Sequence, residues 1–495
     1  MAESTTAVGR QSSRRGGGAV SITLTEDQAA ALDHLLNAVA RRENTALHGP
    51  AGTGKTTLTG VLIQRLLEQG KTLIVAAPTH KALDVLRSRV PVSVECKTLA
   101  SLLGLKPVQR GRWIDFQPDF RQAEKRGQLR GYDVLLADEM SMASDQMGAD
   151  LVKLAATTGT VVVAIGDQAQ LAPCSPPPGP GEDESSYVPA MAECFLNPPG
   201  GIARLTRIVR HQGPVLELAT AIRQCTTKAE VDAIWPTADK RDADSKVLVY
   251  DWPNHWFHAA KQVLLDPRWE AEPNSARIVC WTNRECARLT QELRTAKLGA
   301  LAAEGWRPGE ILQNGDAIQQ PGKSMAAPLA PSTCEWRIVD AEPYRLKLDL
   351  GEAKWQTPKR KEPRSFHIGC DLHVQKLTLD PLVSGGRQQR ITVFAPIPGD
   401  PAWGERIAEL RQLIAKIESG PARTKAWAAW HSLRSYGGDL RSAAVLSVHR
   451  SQGSTFRHLW ANSCLDWLNT SEAVALHYTA LTRASQAVHL LRRDR

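Results

Sequence analysis

The residues best suited to chemistry form the run Gly49-Pro50-Ala51-Gly52-Thr53-Gly54-Lys55-Thr56, a complete GxxxxGKS/T set between a short apolar stretch and a helical pattern beginning near Thr57. Glycines at these positions let successive backbone N–H groups turn toward one anion, and the start of the following helix adds its positive end. Lys55 then neutralises phosphate charge, and Thr56 offers a hydroxyl to Mg²⁺. Gly49 through Thr57 are therefore the expected site for a nucleoside triphosphate. About 80 residues downstream, Val134-Leu135-Leu136-Ala137 runs into Asp138-Glu139. An acidic pair after an apolar strand is, by itself, an ordinary solvated strand end. Behind a phosphate loop it suits hydrolysis, with Asp138 holding Mg²⁺ through water and Glu139 orienting and deprotonating the attacking water. Upstream, Leu24-Thr25-Glu26-Asp27-Gln28 opens an amphipathic pattern with Leu32, Leu35, Leu36 and Val39 on one face. Thr25 and Gln28 have capping-box spacing, which explains the glutamine structurally. The functional alternative is that Gln28 reads an adenine edge.

A phosphate loop with an acidic pair also fits kinases, GTPases and transporters, so other segments must decide the class. Gly166-Asp167-Gln168-Ala169-Gln170-Leu171 follows a buried apolar run, where a polar side chain can sense a terminal phosphate. Far downstream come Val448-His449-Arg450-Ser451-Gln452-Gly453-Ser454-Thr455 and Tyr478-Thr479-Ala480-Leu481-Thr482-Arg483-Ala484. In this order the three segments resemble motifs III, V and VI of superfamily 1 helicases. Ala77-Pro78-Thr79-His80-Lys81-Ala82 resembles motif Ia, Lys97-Thr98-Leu99-Ala100-Ser101-Leu102 motif Ic, and Leu205-Thr206-Arg207-Ile208-Val209-Arg210 motif IV. The resemblance runs from Leu24 to Leu491 and is closest to the RecD/Dda-like, 5′→3′ branch, superfamily 1B.

That resemblance implies an ATP- and Mg²⁺-dependent helicase or translocase acting on single-stranded DNA and DNA forks, with room for a single-strand-binding, replication or recombination protein as partner. It implies Gln170 at the γ-phosphate or its water, and Arg210 and Arg483 as arginine fingers, groups that contribute about 10³–10⁵ in rate where they act. Gly453 of the motif V segment is counted with the nucleotide site. Pro78, Thr79, His80, Thr98, His449 and Ser451 would line the strand groove, since small hydroxyls and amides grip phosphates without reading bases. Asn283, in Thr282-Asn283-Arg284, is a further groove candidate, with a helix cap as the alternative. In Gln109-Arg110-Gly111-Arg112-Trp113-Ile114-Asp115-Phe116-Gln117, a Gly turn precedes alternating apolar residues where the family carries a duplex-splitting pin. Trp113 or Phe116 is the wedge candidate, with packing beneath the hairpin as the alternative.

These side chains need rigid carriers. Short β-branched runs at Leu73–Ala76, Val134–Leu136, Val161–Ile165, Ile278–Trp281, Val445–Val448 and Val488–Leu490 alternate with helical patterns, which implies an α/β fold with parallel sheets. With the resemblance, the expected fold is two RecA-like P-loop domains, a β-hairpin insertion in the first and an SH3-like β-rich insertion in the second. The expected division is a flexible tail at 1–22, a first domain at 23–201 with the pin near 103–130, a second at 202–310 and 437–495, and an insertion at 311–436. Alternating strands such as Arg390-Ile391-Thr392-Val393-Phe394 and one helical pattern from Trp403 to Ile417 mark that insertion. Its basic run Lys359-Arg360-Lys361 reads as a solvated loop or a phosphate contact. Pro173 to Pro180, running into Glu182-Asp183-Glu184, reads as a surface loop.

With 495 residues, the chain is long enough for several domains. Its 61 Lys+Arg against 52 Asp+Glu give +9, which favours a polyanionic partner without naming one. Nine cysteines without a CxxC pair offer neither a disulfide framework nor a zinc knuckle, as in a cytoplasmic protein with reduced thiols. No apolar run approaches the roughly 20 residues of a membrane helix, so no membrane partner is expected. Two rival readings share the motor motifs: an RNA-directed or translocating motor without duplex unwinding, and a non-catalytic helicase-like subunit. Intact Lys55, Asp138, Glu139, Gln170, Arg210 and Arg483 argue against the second. No additional carboxylate cluster points to a fused nuclease.

Overall fold

The computed structural model describes residues 23–87, 90–110, 113–118, 127–173, 190–208, 213–318, 329–355, 364–382, 389–417, 420–437, 439–468 and 472–492. The N-terminal tail, nearly all of the Pro-rich loop, Arg210 and the run Lys359–Lys361 lie outside these residues, as do the side chains of Trp113 and Phe116.

Strands β1 (Thr45–His48), β2 (Leu73–Ala77) and β3 (Glu95–Thr98) are followed by a hairpin, β4 (Leu105–Arg110) and β5 (Trp113–Pro118), and then by β6 (Val134–Ala137), β7 (Val161–Gly166) and β8 (Ile202–Arg204). Apart from the hairpin they form one parallel sheet in the order β3-β2-β6-β7-β1-β8. Every residue of β1, β2, β6 and β7 is buried, which is why β2, β6 and β7 read as continuous apolar runs rather than alternating ones, while β1 buries Thr45 and His48 beside Ala46 and Leu47. Leu35 from the Glu26–Ala40 helix and Leu62 and Leu66 from the Lys55–Glu68 helix pack on one face against Leu47, Val75 and Val163. Phe195 and Leu151 cover the other face. The Asp145–Thr158 helix shows how local sequence fixes its ends. The Ser144 hydroxyl accepts from Met147 N, and Gly159 stops the helix in a left-handed conformation at φ 70°.

The second sheet contains β9 (Lys240–Arg241), β10 (Lys246–Tyr250) and β11 (Ala276–Cys280), together with three strands from the C-terminal part of the chain. Between them comes the insertion: β12 (Ile311–Asn314), β13 (Glu335–Trp355), β14 (Arg364–Pro381), β15 (Ile391–Ala395) and β16 (Leu440–Ser442), antiparallel in the order β15-β14-β13-β12-β16. Strands β17 (Val445–Ser447), β18 (Phe456–Ala461) and β19 (Ala484–Leu491) then return to the second sheet, ordered β17-β11-β18-β19-β10-β9, with only β9 antiparallel among its described strands. The two parallel sheets are the two RecA-like units that the motif order implies, and the β-rich insertion interrupts the second.

The β13–β14 ribbon extends from the Trp336↔Pro381 pair to Trp355↔Arg364, far beyond its three companion strands. A two-stranded ribbon cannot bury both faces alone. The Ala402–Ala415 and Pro421–Arg434 helices cover it through Leu410, Ile414, Trp427, Trp430 and Leu433, packed on Leu346, Ile368 and Val374. The Pro421–Arg434 helix also lies against β4 of the hairpin, so the insertion reaches back to the first unit. At its base, the fully buried Arg277 of β11 pairs with Glu335 of β13 at 3.1 Å. Arg294 pairs with Glu310 at 2.8 Å beneath Trp306. Among the described residues no helix is long and apolar enough to cross a membrane.

Candidate active site

The first sheet places β6, β7 and β1 side by side, so the segments leaving their carboxyl ends converge. Ligands of open parallel sheets bind outside those ends. After β1, Gly52 and Gly54 adopt φ 86° and 82°, a conformation L side chains rarely hold. A Cβ on Gly49 would fall 2.7 Å from the Thr53 hydroxyl. The helix begins at Lys55, earlier than the sequence pattern near Thr57 suggests, because the left-handed Gly54 serves as its N-cap. Thr56 and Thr57 thus occupy the first helical turn, beside the loop amides.

Lys55 Nζ donates to the Gly49 carbonyl at 2.6 Å and to the Pro50 carbonyl at 3.0 Å. Thr53 is buried; its hydroxyl donates to Pro50 O, and its carbonyl accepts from Gln28 Nε2 at 3.0 Å. Gln28 Oε1 accepts from Thr25 N at 3.1 Å. One carboxamide therefore serves the helix start and braces the phosphate loop. Asp27 extends the brace by accepting from Thr206 N and Arg207 N.

Asp138 and Glu139 sit at the end of β6. Glu139 adopts φ 53°, uncommon for a non-glycine residue, and its N–H donates to Asp138 Oδ1 at 2.9 Å. Burial, and then the neighbouring Glu139 charge, push the Asp138 carboxyl up to about 7, with Lys55 pulling the other way. Burial lowers the Lys55 ammonium, while Asp167, Glu139 and Asp138 favour its charged form. Gln170 is 4% exposed, and its buried Oε1 has no hydrogen-bond partner among the described residues. A lysine resting on loop carbonyls, an orphaned buried amide oxygen, and oxygen donors from Thr56 and Asp138 fit a nucleoside triphosphate with a hard divalent cation.

The second unit closes this site from above. Arg483 is 5% exposed and donates from Nε to Thr479 O, from Nη1 to Ser454 O and from Nη2 to the Thr482 hydroxyl. Burial disfavours its charge; Glu139, Tyr478 and Asp167 favour it, so the guanidinium feels the first unit's acids across the cleft. A cavity of about 300 Å³ beside Gly49, Pro50, Ala51 and Gly52 is walled on the far side by Tyr478, Thr482 and Arg223. Sequence reasoning did not single out Asp167, Tyr478 or Arg223. Asp167 is fully buried and accepts from Tyr478 Oη at 2.6 Å and from Arg223 Nη2 at 3.2 Å. Its only signal in the sequence is its place in the Gly166-Asp167-Gln168 turn.

The proposed groove residues divide. Pro78, Thr79 and His80 leave β2 partly exposed, and Thr79 Oγ1 accepts from Ala82 N at 3.2 Å. Gly453 adopts φ 73°, and a Cβ there would come 3.9 Å from Ala82, so the Pro78–Ala82 and His449–Gly453 segments meet across the two units. His449 is partly exposed, and burial lowers its imidazole pKa. Ser451 is fully buried with its hydroxyl donating to Val448 O, and Thr98 is 7% exposed with its hydroxyl capping the Leu99–Leu102 turn. The structure therefore brings neither hydroxyl to the surface. Asn283 is exposed, and its Oδ1 accepts from Arg441 Nη1 at 2.6 Å. The cap of the Asn283–Leu298 helix is Thr282, which accepts from Glu285 N, and not Asn283. Trp113 and Phe116 lie in β5, paired with Arg110 and Pro107.

Comparison with known proteins agrees with the motif resemblance. Residues 23–183 match the model of an AAA domain family. The chain is 28% identical over 277 residues to the ATP-dependent DNA helicase dda of Enterobacteria phage T4, an alignment covering 55% of this chain and 56% of that protein. The chain thus spans about half the length of this curated relative. Among solved structures, a Pif1 helicase from Bacteroides in complex with ADP-AlF3 and ssDNA is 16% identical with a TM-score of 0.46, covering 94% of this chain and 92% of that one. Pif1 helicase from Candida albicans is 13% identical with a TM-score of 0.44, covering 96% of each.

Proposed function

We propose that this chain is an ATP-dependent DNA helicase that binds single-stranded DNA, moves 5′→3′ and opens forks. The observation that carries the reading is the convergence of Lys55, Asp138, Glu139 and Gln170 from one RecA-like unit with Arg483 from the other. Hydrolysis can move two bodies only when its catalytic groups are divided between them.

In this mechanism Lys55 exchanges the Gly49 and Pro50 carbonyls for the β- and γ-phosphates, and the amides of the Gly52–Thr57 stretch take the remaining oxygens. Thr56 and Asp138 would hold Mg²⁺, which would supply positive charge to offset that building on the phosphates. Glu139 accepts a proton from the attacking water, and Gln170 Oε1 orients that water. Arg483 leaves the Ser454 and Thr479 carbonyls for the γ-phosphate, and Arg210 is proposed as a second finger. Drawing Arg483 inward closes the cleft, and loss of the γ-phosphate releases it. Closure shifts the Pro78–His80 segment relative to His449 and Asn283, which converts chemistry into a step along the strand.

The hairpin carrying Trp113 and Phe116 would split the duplex, supported by the insertion that packs on it. A division into a first unit, a second unit and an insertion belongs to this reading, but the expected boundaries after 201 and 436 move, because Ile202–Arg204 pair with β1 of the first sheet and Leu440–Ser442 with β12 of the insertion. A cytoplasmic setting and a single-strand-binding or recombination partner belong to it as well. Strand displacement on forked DNA with a 5′ or a 3′ tail, and on the matching RNA forks, tests it. The expected result is ATP-dependent opening of the 5′-tailed DNA fork. Opening of RNA alone, or of neither fork despite ATP turnover, would replace the helicase with an RNA motor or a plain translocase.

A further inference from the structure

We infer that Tyr478 is a positioning residue: its hydroxyl ties the phosphate loop and Asp167 to the segment that carries Arg483, so that nucleotide entry aligns the finger. The inference rests on the hydrolytic reading of the site given above.

Tyr478 belongs to the Glu472–Leu481 helix of the second unit and is 2% exposed. Its hydroxyl donates to Asp167 Oδ2 at 2.6 Å and accepts from Ala51 N at 3.2 Å. A single oxygen thereby joins the phosphate loop, the turn after β7 and the second unit. Asp167 is held from its other side, with Oδ1 accepting from Ala169 N at 3.1 Å and from Arg223 Nη2 at 3.2 Å. The next residue repeats the link: Thr479 Oγ1 accepts from Leu171 N at 3.0 Å, and Gln452 Nε2 donates to Leu171 O at 3.5 Å. Thr479 also presents the carbonyl that receives Arg483 Nε at 3.1 Å. The path from loop to finger is therefore short: Ala51 N–H, Tyr478 Oη, one peptide step to Thr479 O, then the guanidinium.

The geometry suits a relay. Loop amides turn toward phosphate when a triphosphate enters, and Ala51 cannot turn without disturbing the oxygen on which Asp167 also depends. Burial first, then the Asp167 charge, hold the phenol pKa well above its usual value, so the hydroxyl stays protonated and keeps donating. Phenylalanine at this position would preserve the ring, which packs in the core of the second unit. It would leave the Ala51 N–H and one lone pair of Asp167 without this partner. A side chain that merely filled the core would tolerate that change.

The test compares wild type, Tyr478→Phe, Arg483→Ala and the double variant in full-length protein. It measures kcat and KM for ATP, and hydrogen–deuterium exchange with and without the non-hydrolysable analogue AMP-PNP. If Tyr478 acts through Arg483, Tyr478→Phe lowers kcat about tenfold with KM within about twofold, and the double variant is no slower than Arg483→Ala alone. In wild type, AMP-PNP protects the 50–54 loop and the 478–483 segment together; in Tyr478→Phe it protects the loop alone. An unchanged kcat, or losses that multiply in the double variant, would overturn the relay. Loop protection in wild type without any change at 478–483 would also overturn it while leaving the nucleotide site standing. An analogue that protects neither segment would remove the nucleotide-site reading and the relay with it. Protection of both segments in a protein that turns over ATP without regard to DNA would retain the relay and remove the helicase.

Discussion

Gln28 Nε2 lies 3.0 Å from the Thr53 carbonyl, so the first helix of the fold is bonded directly to the phosphate loop. The same carboxamide accepts from Thr25 N, and both of its ends are therefore engaged within the protein. Gln28→Ala should cost about 1–2 kcal/mol of stability through a lost cap contact and a lost buried hydrogen bond. It should also raise KM for ATP and GTP alike, because the loop loses its brace. Thermal unfolding with parallel ATP and GTP titrations checks this. Loss confined to ATP would mean that Gln28 reads the adenine edge.

Arg277 is wholly buried, pairs with Glu335 and stacks near Trp269 and Phe456. Removing the cation strands a carboxylate in an apolar wall, so Arg277→Met should destabilise the protein by about 3–5 kcal/mol. Replacing Glu335 with Leu in the same chain should recover much of the loss. Denaturant titration of the two variants provides the check, and an Arg277→Met protein as stable as wild type would show that the pair does not anchor the insertion.

His489 stacks on Trp460 at 3.8 Å between ring centroids and hydrogen-bonds Tyr250 and His458. Burial, reinforced by the His458 charge, pulls its pKa from 6.5 down to about 3. Between those values the unfolded chain binds a proton that the folded one refuses. Stability is therefore full above the unfolded value and declines as pH falls toward the folded one. From about pH 7 to about pH 5 this group should remove roughly 2 kcal/mol, and His489→Gln should flatten the decline. Urea unfolding of both proteins at the two pH values tests the sign and size, and equal slopes would contradict it.

In the strand groove, affinity for single-stranded DNA should fall with salt at a log–log slope of about −0.7 per neutralised phosphate. His449→Ala should weaken binding. Ser451→Ala should leave the salt slope alone, since that hydroxyl is buried on the Val448 carbonyl. Fluorescence anisotropy across a salt series separates the two, and a flat response would remove the proposed groove.

The parallel sheets were legible because β2, β6 and β7 are buried on both faces and stand out as apolar runs, whereas β1 was not, since Thr45 and His48 are buried polar residues that break its pattern. The phosphate loop and Asp138-Glu139 were legible because their spacing along the chain is itself the chemical requirement. Tyr478 and Asp167 were not: they lie 311 residues apart, and nothing local in either segment announces the partner. Ser451 and Thr98 show the reverse limit. A motif names a hydroxyl but not its direction, and here both turn inward to finish helix ends. The insertion was legible as β-rich, but the length of the β13–β14 ribbon and its two-helix cover depend on packing between segments far apart in sequence.

ATP hydrolysis with and without single-stranded DNA, comparing wild type with Glu139→Gln, tests the central claim most directly. A DNA-driven motor should be stimulated about tenfold or more, and Glu139→Gln should abolish turnover while nucleotide binding persists. Hydrolysis indifferent to DNA, or a Glu139→Gln variant that turns over at the wild-type rate, would contradict the account.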